Sequence, residues 1–526
     1  MVGVSCALAL QQRGCRVTLI DRRAPGQETS HGNAGVLARS SLMPFNHPGL
    51  WAALPRLLRN RSPQLRYNPL FLARHAGWAL GFLARARQSV FEETIAALDE
   101  LIRASTVQHL QWMGDAGARH RLRENGWLFL YRSAAGLDAS HLSRDIFARF
   151  GIATEVLDRQ ALSDIEPDLK PVFERALWIK DAASVDNPGA VVEAYARLFA
   201  ARGGTIVEAD VASLACDDAM TGAPWRAHDA SGRAWTAARA VVALGPWSAA
   251  FLAPLGLRVP MGFERGYHMH YAAQGGARLH RPVYDTGGGY VLSPMEGGLR
   301  LTTGVELTYR DAPPNLAQLD LAEQAARQAF ALGDRSMPQA WLGSRPTLPD
   351  SRPMVGAAPG QPGLWLAFGH QHIGFSTGPG TAQLLAALMH DETPSIGAAP
   401  YRPVRFLRCP QARWCPLRRR ARHNAHSAQS STVLIASPAP TTVAARSAKP
   451  GARSSTISAN DHGSEARMPS SSKGPSLTSG CIALTHRTAA SAVAILGTSH
   501  QRKTFGMLHL GRIEGDEPTL AIFARP

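Results

Sequence analysis

The chain begins with MVGVSCALALQQRGCRVTLID, residues 1–21, and this stretch decides the fold class. Gly3 opens an apolar helical stripe, a turn follows at Gly14, and the strand-like run 17–20 ends in the acid Asp21. This order is typical of a βαβ unit that binds a dinucleotide, in which the final acid accepts hydrogen bonds from a ribose. An ordinary amphipathic helix followed by a strand fits the same residues, so this stretch alone leaves both interpretations open.

A complete unit of this kind has a further strand and two further glycines before Gly3. The glycines let the backbone approach a pyrophosphate at the helix N-terminus, where free N–H groups favour anions. We therefore expect the DNA upstream of Met1 to continue in frame and to encode them. We also expect the chain as written to bind its cofactor weakly or to fold poorly, because a missing central strand leaves its neighbours' edges uncovered.

The bulk composition indicates a globular protein. The chain has 526 residues, of which 45% are hydrophobic, and this length suits two to four domains. It contains no apolar run of about 18 residues and no signal-peptide pattern, which predicts neither a spanning helix nor secretion. Its six cysteines are scattered without a C-x-x-C, which excludes a disulfide framework and a zinc site of that type. We expect a cytoplasmic protein that holds no metal.

The net charge of +16 belongs mainly to the last 120 residues. From Leu407 onward lie 16 of the 56 basic residues and only 5 of the 40 acidic ones. This region, 407–526, is rich in Ser, Ala, Arg, Thr and Pro, which predicts a basic, disordered tail. The run 418–420 could bind nucleic acid or an anionic membrane, but no nucleic-acid-binding fold accompanies it, so no nucleic-acid partner is expected. We interpret the tail as the product of a lost reading frame.

The order of predicted elements indicates a mixed α/β protein. Leu, Ala and Trp recur at helical spacing across 51–120, whereas 262–310 alternates in short strands. We predict a discontinuous Rossmann-like α/β domain that lacks its first strand, together with an α+β substrate domain built on an antiparallel sheet. The predicted boundaries are 1–50, 185–255 and 341–406 for the nucleotide-binding domain, 51–184 and 256–340 for the substrate domain, and 407–526 for the tail.

Three later stretches have the features of binding loops. VVALGPWSAAF (241–251) is an apolar strand that ends in small residues, past which a cofactor can lie. GSRPTLPDSRPMVG (343–356) places an arginine in a proline-rigid loop, where its planar fork suits a carboxylate. LWLAFGHQHIGFSTGPG (364–380) runs from a buried strand through a glycine-rich turn into a helix, whose free N–H groups suit the polar edge of a flavin. Each alone also fits an ordinary strand, turn or loop.

Taken in order, these segments resemble the D-amino-acid oxidase/dehydrogenase (DAO) superfamily of FAD-dependent oxidoreductases, and most of all its bacterial D-amino-acid dehydrogenases. The resemblance covers roughly residues 1–406. TSHGNAG (29–35) is similar to the flavin-contacting loop that follows the second strand in that family. GSRPTLPDSRPMVG matches the family signature G-x-R-P-x-x-P-D-x-x-P-x-x-G, and GHQHIGFSTGPG (369–380) resembles the closing flavin motif.

The resemblance implies FAD as cofactor and assigns a role to each matching residue. Arg345 would clamp the substrate carboxylate, and Tyr267 and Tyr290 are substrate-pocket candidates that could equally be packed strand tyrosines. His370 and His372 are expected to be loop or core residues rather than metal ligands. The residues implied to contact FAD are Gly3, Asp21, Arg22, Ser30, Asn33, Ala34, Gly35, Gly245, Trp247, Gly369, His370, Ile373 and Gly374.

The implied reaction is the oxidation of a D-amino acid by hydride transfer from Cα to flavin N5. The imine then hydrolyses to a 2-oxo acid and ammonia, so no strong protein base is required. The electrons are expected to pass to a quinone-type acceptor, with a peripheral position on the inner face of the membrane as one option. The alternatives are an enzyme for a glycine- or hydroxyproline-type substrate and an inactive truncated member of the family.

Overall fold

The structure, a computed structural model, describes residues 1–217, 224–407, 432–435 and 520–524. The helices in these ranges are α1 Val2–Gln11, α2 Leu50–Leu57, α3 Pro69–Arg74, α4 Ala76–Ala84, α5 Gln88–Asp115, α6 Ala134–Asp138, α7 His141–Arg149, α8 Arg159–Ile165, α9 Pro188–Ala201, α10 Ser248–Leu252, α11 Ala317–Ala329 and α12 Gly374–Met389. The strands are β1 Arg16–Asp21, β2 Val36–Leu37, β3 Leu65–Tyr67, β4 Leu122–Arg123, β5 Trp127–Tyr131, β6 Thr154–Asp158, β7 Arg175–Ile179, β8 Ala183–Val185, β9 Thr205–Glu208, β10 Val211–Cys216, β11 Trp225–Asp229, β12 Ala234–Ala237, β13 Arg239–Ala243, β14 Gly262–Ala273, β15 Val283–Asp285, β16 Tyr290–Met295, β17 Gly298–Thr303, β18 Val305–Leu307, β19 Leu332–Arg335, β20 Trp341–Thr347, β21 Met354–Ala357, β22 Leu364–Phe368, β23 Thr432–Ile435 and β24 Leu520–Ala524.

A parallel sheet forms the centre of the first half of the molecule, in the order β23-β13-β24-β1-β9. The first helix, turn and strand predicted from residues 1–21 are confirmed: α1 is followed by Gly14 at φ +78° and then by β1. Nine of the ten residues of α1 are buried, because the helix packs between the sheet and α12. The predicted α/β class is therefore confirmed, and β1 ends with Asp21 at the edge where a nucleotide binds in such sheets.

Residues of the tail lie beside β1, where the sequence predicts a missing strand. The prediction that the neighbouring strand edges stay uncovered is therefore wrong, because the tail pairs with their backbone groups. Residues 432–435 pair in parallel with 16–19, and 521–524 pair in parallel with 240–243. Buried strand edges require partners for their N–H and C=O groups, and the tail provides two short runs rich in β-forming residues, TVLI and LAIFA. The rest of the predicted disordered tail lies outside the described residues.

A large mixed sheet forms the second half, in the order β3-β18-β14-β17-β16-β15-β5-β7-β6, with β19 and β20 also paired to β14. The strands predicted across 262–310 are confirmed as β14 to β18. The sheet is mainly antiparallel, but β15 with β5 and β18 with β3 are parallel pairs. The prediction of helix throughout 51–120 is wrong at β3, because pairing with the edge of β18 overrides the helical spacing of the neighbouring apolar residues.

Close helix packing brings two helix N-termini together. A Cβ on Gly378 would lie 2.7 Å from Met1 Cγ, and one on Gly380 would lie 2.7 Å from the Leu101 carbonyl, so α12 approaches α1 and α5 through glycines. The helix predicted after Asn187 is confirmed: the Asn187 side chain accepts from the Ala190 N–H at 3.0 Å and caps α9. Within the described ranges, no helix is both long and apolar enough to cross a lipid bilayer.

Candidate active site

A cavity of about 350 Å³ lies where the parallel sheet meets the large mixed sheet. Its wall includes nine of the predicted site residues, namely Ser30, Asn33, Ala34, Gly245, Tyr290, Arg345, His370, Ile373 and Gly374. These residues come from segments separated by more than 300 positions, and the fold alone brings them together. The volume falls within the usual range for small-molecule and cofactor sites, about 300–1,000 Å³.

The loop 29–35 is held by hydrogen bonds to its carbonyl groups. Arg300 donates to the carbonyls of His31 at 2.7 Å and Asn33 at 2.6 Å, and Ser293 Oγ donates to that of Ala34 at 2.8 Å. Inside the loop, Asn33 Oδ1 accepts from the Gly35 N–H at 2.8 Å. Such bonds hold the loop in one conformation, which is the requirement for a backbone that must lie along a planar ring.

Two helix N-termini border the cavity. Met1 and Val2 at the start of α1 line it, as do Ile373 and Gly374 at the start of α12. Free N–H groups and the helix dipole favour anions at such ends. The residues present therefore fit FAD, with α1 suited to the pyrophosphate and α12 to the pyrimidine end of the flavin, where negative charge develops on reduction.

The predicted ribose-side residues lie together at the end of β1, outside the cavity wall. Asp21 is buried, and its Oδ1 accepts from the Arg23 N–H at 3.3 Å. The Arg22 guanidinium carbon lies 4.7 Å above the Trp247 ring, and Arg22 Nε donates to Glu28 at 2.7 Å. Two residues predicted from separate segments thus contact each other directly. Gly3 and Gly369 also lie off the cavity wall, in α1 and after β22.

Arg345 presents a cationic group to the cavity. On β20 it lies opposite Glu264 of β14, and its one hydrogen bond among the described residues is a long one, 3.5 Å to the Gly304 carbonyl. No carboxylate of the described residues lies within ion-pair distance of its guanidinium. Burial lowers the pKa of Arg345, and the nearby Glu264 raises it. A guanidinium with unused donors in a low-dielectric cavity is suited to a bidentate carboxylate.

The two tyrosine candidates differ in position. Tyr290 lines the cavity, and its pKa is raised well above the ordinary value by burial and by Asp285, so its hydroxyl keeps its proton. Tyr267 is buried outside the cavity wall. Its hydroxyl accepts from Arg265 at 2.9 Å and donates to Glu306 at 2.7 Å. That network supports β14 behind the site, so the geometry favours Tyr290 over Tyr267 for substrate contact.

The histidines of the closing motif are neutral at ordinary pH. Burial lowers the pKa of His370 to about 3, and burial together with Arg345 lowers that of His372 to about 3. His370 Nε2 lies 2.9 Å from Thr381 Oγ1, and the His372 ring packs against Phe45. His370 is thus a hydrogen-bonding group, whereas His372 packs against an aromatic ring and its Nδ1 is buried without a hydrogen-bond partner among the described residues. The part of the chain that the structure describes holds no group of three or more His, Cys, Asp or Glu able to bind a metal.

Sequence reasoning missed three residues that shape the site. Arg300 is buried on β17, and burial lowers its pKa to about 10. A Cβ on Gly266 would lie 2.3 Å from Arg345 Nη2, so only glycine leaves room for that guanidinium. Trp341 lies against Gly32 of the loop 29–35, where a Cβ would be 1.8 Å from its ring. The sequence signal for Arg300 is its charge within the apolar run LRLTT. The contacts of Gly266 and Trp341 depend on tertiary packing.

Comparison with known proteins gives a family match over most of the chain. Residues 1–388 match the family model DAO, described as FAD dependent oxidoreductase. A D-amino-acid oxidase of Bradyrhizobium diazoefficiens is 30% identical over 414 residues, covering 77% of this chain and 97% of the relative. A D-amino acid dehydrogenase of Rhizobium johnstonii is 28% identical over 410 residues, covering 76% of this chain and 96% of the relative.

Solved structures match over the same part of the chain. Glycine oxidase from Geobacillus kaustophilus has a TM-score of 0.58 at 20% identity, covering 76% of this chain and 95% of that structure. L-proline dehydrogenase from P. horikoshii has a TM-score of 0.57 at 16% identity, covering 77% and 94%. At this level of identity the likeness shows the fold, and the substrates differ among the neighbours.

Proposed function

We propose that this chain, which belongs to the DAO family of FAD-dependent oxidoreductases, oxidises a D-amino acid to its imine and passes the electrons to a quinone-type acceptor. The family and the FAD cofactor predicted from the sequence are confirmed by the match over residues 1–388. The D-configuration is supported by the names of the two relatives, and a separate electron acceptor by the one named a dehydrogenase. Peripheral association with a membrane belongs to the same proposal.

The observation that carries the proposal is the Arg345 guanidinium, directed at the cavity without an ion-pairing carboxylate among the described residues. It would hold the substrate carboxylate through two N–H donors, and Tyr290 would line the pocket beside it, with its hydroxyl directed to Asp285. FAD, when bound, supplies the hydride acceptor. Because the histidines that line this cavity have pKa values far below neutral, the chain contributes orientation and exclusion of water rather than a base.

The test is anaerobic bleaching of the flavin. The chain, purified with FAD, is mixed with D-alanine, D-methionine, D-proline, their L-enantiomers, glycine or hydroxyproline, and the flavin absorbance is followed. Bleaching by D-enantiomers alone, with reoxidation faster by a soluble quinone than by oxygen, supports the proposal. Bleaching only by glycine or hydroxyproline would assign the alternative substrate class. A stoichiometric flavin that no amino acid bleaches would show an inactive family member.

A further inference from the structure

The segment 45–87 forms a surface that is both apolar and basic, and we call it the arginine-rich surface. Between Thr29 and Phe91 the chain has no Asp or Glu but eight arginines, seven of them after Pro44. Eleven large hydrophobic residues are exposed in the described ranges, and five of them lie here: Phe45, Trp51, Leu58, Leu70 and Leu80. Exposed apolar residues concentrated in one short segment indicate an interaction surface rather than ordinary scatter.

The first part of this surface is α2, a helix with no buried residue. Trp51 is 51% exposed and Leu58, just after the helix, is 62% exposed. The Trp51 indole N–H donates to the Ala86 carbonyl at 2.9 Å, which fixes the ring against the end of α4. The exposed apolar groups of α2 are therefore held in place on the protein.

The second part is α3 and α4, which are fixed to the large sheet by one side only. The Trp78 indole N–H donates to the Thr347 carbonyl at 2.9 Å, and a Cβ on Gly262 would enter the Trp78 ring. Phe71 is fully buried against the same sheet. On the other side Leu70 and Leu80 are 56% and 65% exposed, so an apolar face remains without a partner among the described residues.

The charges of the surface suit an anionic partner. Five of the seven arginines are exposed, at positions 56, 59, 61, 74 and 87. None of the seven forms an ion pair with a described residue. Exposed Trp and Leu beside unpaired cations are the pattern of a segment that lies in the interface of an anionic bilayer. A symmetric contact with a second copy would bring the same cations together and is disfavoured.

The surface is continuous with the wall of the cavity. Phe45 is 44% exposed, yet it also lines the cavity, where its ring lies 5.0 Å from that of His372. Met43, just before the segment, and Gln64, within it, line the cavity as well. A bilayer against residues 45–87 would therefore lie next to the site.

We propose that the arginine-rich surface binds the interface of an anionic lipid bilayer and that this contact brings the cavity next to a lipid-soluble electron acceptor. Membrane association and the role of the acceptor rest on the proposed function, and the new step assigns the bilayer contact to this surface. The chemistry recognised is a surface of phosphodiester headgroups above acyl chains: the guanidinium groups bind the former and the apolar side chains enter the latter.

The experiment is co-sedimentation of the FAD-loaded full chain with phosphatidylcholine vesicles, with or without phosphatidylglycerol. We expect binding to the anionic vesicles, weakened by salt, and a loss of affinity of about tenfold or more in Trp51→Gln/Leu80→Gln, because two large apolar groups no longer enter the bilayer. The matched control is Val107→Gln/Val156→Gln, which changes residues 69% and 46% exposed elsewhere on the protein. It should bind as the unaltered chain does.

The basic tail, 407–526, is a second candidate for lipid binding, and the experiment distinguishes it from the arginine-rich surface. Equal binding by both double variants would assign lipid binding to the tail and overturn the proposal, as would no binding to anionic vesicles. Sedimentation velocity tests the other occupant. If the chain does not bind vesicles but forms a dimer that Trp51→Gln/Leu80→Gln abolishes, the surface binds a second copy of the chain and the proposal is overturned. Unchanged flavin content and melting temperature show that each variant is folded. Vesicle binding needs no turnover, so a chain that binds vesicles but is not bleached by amino acids would contradict the proposed function alone.

Discussion

The two sheets of this protein are built in opposite ways. The large mixed sheet is assembled from residues 65–347, and its long central strand, β14, pairs with β17, β18, β19 and β20. The parallel sheet takes β1 and β13 from positions more than 200 residues apart and fills the space between them with residues 432–435 and 520–524. The half that holds Arg345 is thus complete within one stretch of chain, whereas the half suited to FAD depends on both ends of the sequence.

The largest expected effect comes from removing the tail strands. A chain ending at Leu407 removes both strands that pair with β13 and leaves β1 paired with β9 alone. Unpaired strand edges beside a buried core cost several kcal/mol, out of a total stability of about 5–15 kcal/mol. We expect a lower urea midpoint and loss of FAD binding. The control replaces only 441–516 by a short Gly/Ser linker and keeps both strands. If the chain ending at Leu407 keeps its midpoint and its flavin, the two tail strands contribute nothing to the sheet.

The next largest effect concerns the large mixed sheet, which holds Arg345. Arg345→Lys keeps the charge but loses the bidentate fork, and we expect kcat/KM to fall by about 10²–10³-fold, equivalent to roughly 3–4 kcal/mol, with the flavin spectrum unchanged. Arg335→Lys changes an arginine of the same sheet that is ion-paired with Glu323, and it should leave kcat/KM nearly unaltered. Equal kinetics for the two variants would remove Arg345 from substrate binding.

The pH dependence of stability tests the half of the molecule that contains α1, α5 and α12. Burial lowers the pKa of His109 to about 4, while the unfolded chain takes up this proton near pH 6.5. Below pH 6.5 the unfolded state therefore binds more protons, and stability falls as the pH decreases toward about 4. At pH 5 this histidine alone accounts for about 2 kcal/mol of the loss. Urea unfolding at pH 7.5 and pH 5 measures this loss of stability. The difference in stability between the two pH values should be smaller in His109→Gln than in the unaltered chain. In the control His141→Gln, which changes an exposed histidine, the difference should equal that of the unaltered chain.

The smallest effect is the difference between two glycine substitutions, and it separates backbone conformation from local crowding in the loop 29–35. Gly35 has φ +76°, and a Cβ there would lie 2.4 Å from the Val185 carbonyl oxygen, whereas Gly14 has φ +78° with nothing within 4 Å. Gly14→Ala should cost only the left-handed strain, about 1 kcal/mol. Gly35→Ala adds the clash and should cost about 2–3 kcal/mol and reduce flavin content. Similar melting temperatures and flavin content in both variants would mean that the loop shifts freely and is not preformed.

Much of this molecule could be predicted from local sequence. The turn at Gly14, the strand ending in Asp21 and the cap at Asn187 are set by neighbouring residues, and the family and cofactor followed from motifs in a fixed order. The boundaries of the domains and the contacts of the individual site residues with cofactor or substrate stay predictions. The strand at 65–67 could not be predicted, because its pairing with β18 lies more than 200 residues away in sequence.

By itself, the sequence determined many of the elements and the family, and it singled out Arg345 as the candidate substrate anchor, since periodicity, turn residues and motif spacing are local properties. Only the tertiary structure decided what surrounds them: that Gly266 leaves space for Arg345, that Arg300 holds the loop carbonyls, and that Tyr290 rather than Tyr267 lines the cavity. It also decided that tail residues pair with β1 and that the arginine-rich surface adjoins the cavity. These are matters of which atoms meet after folding, and no local pattern encodes a contact between residues hundreds of positions apart.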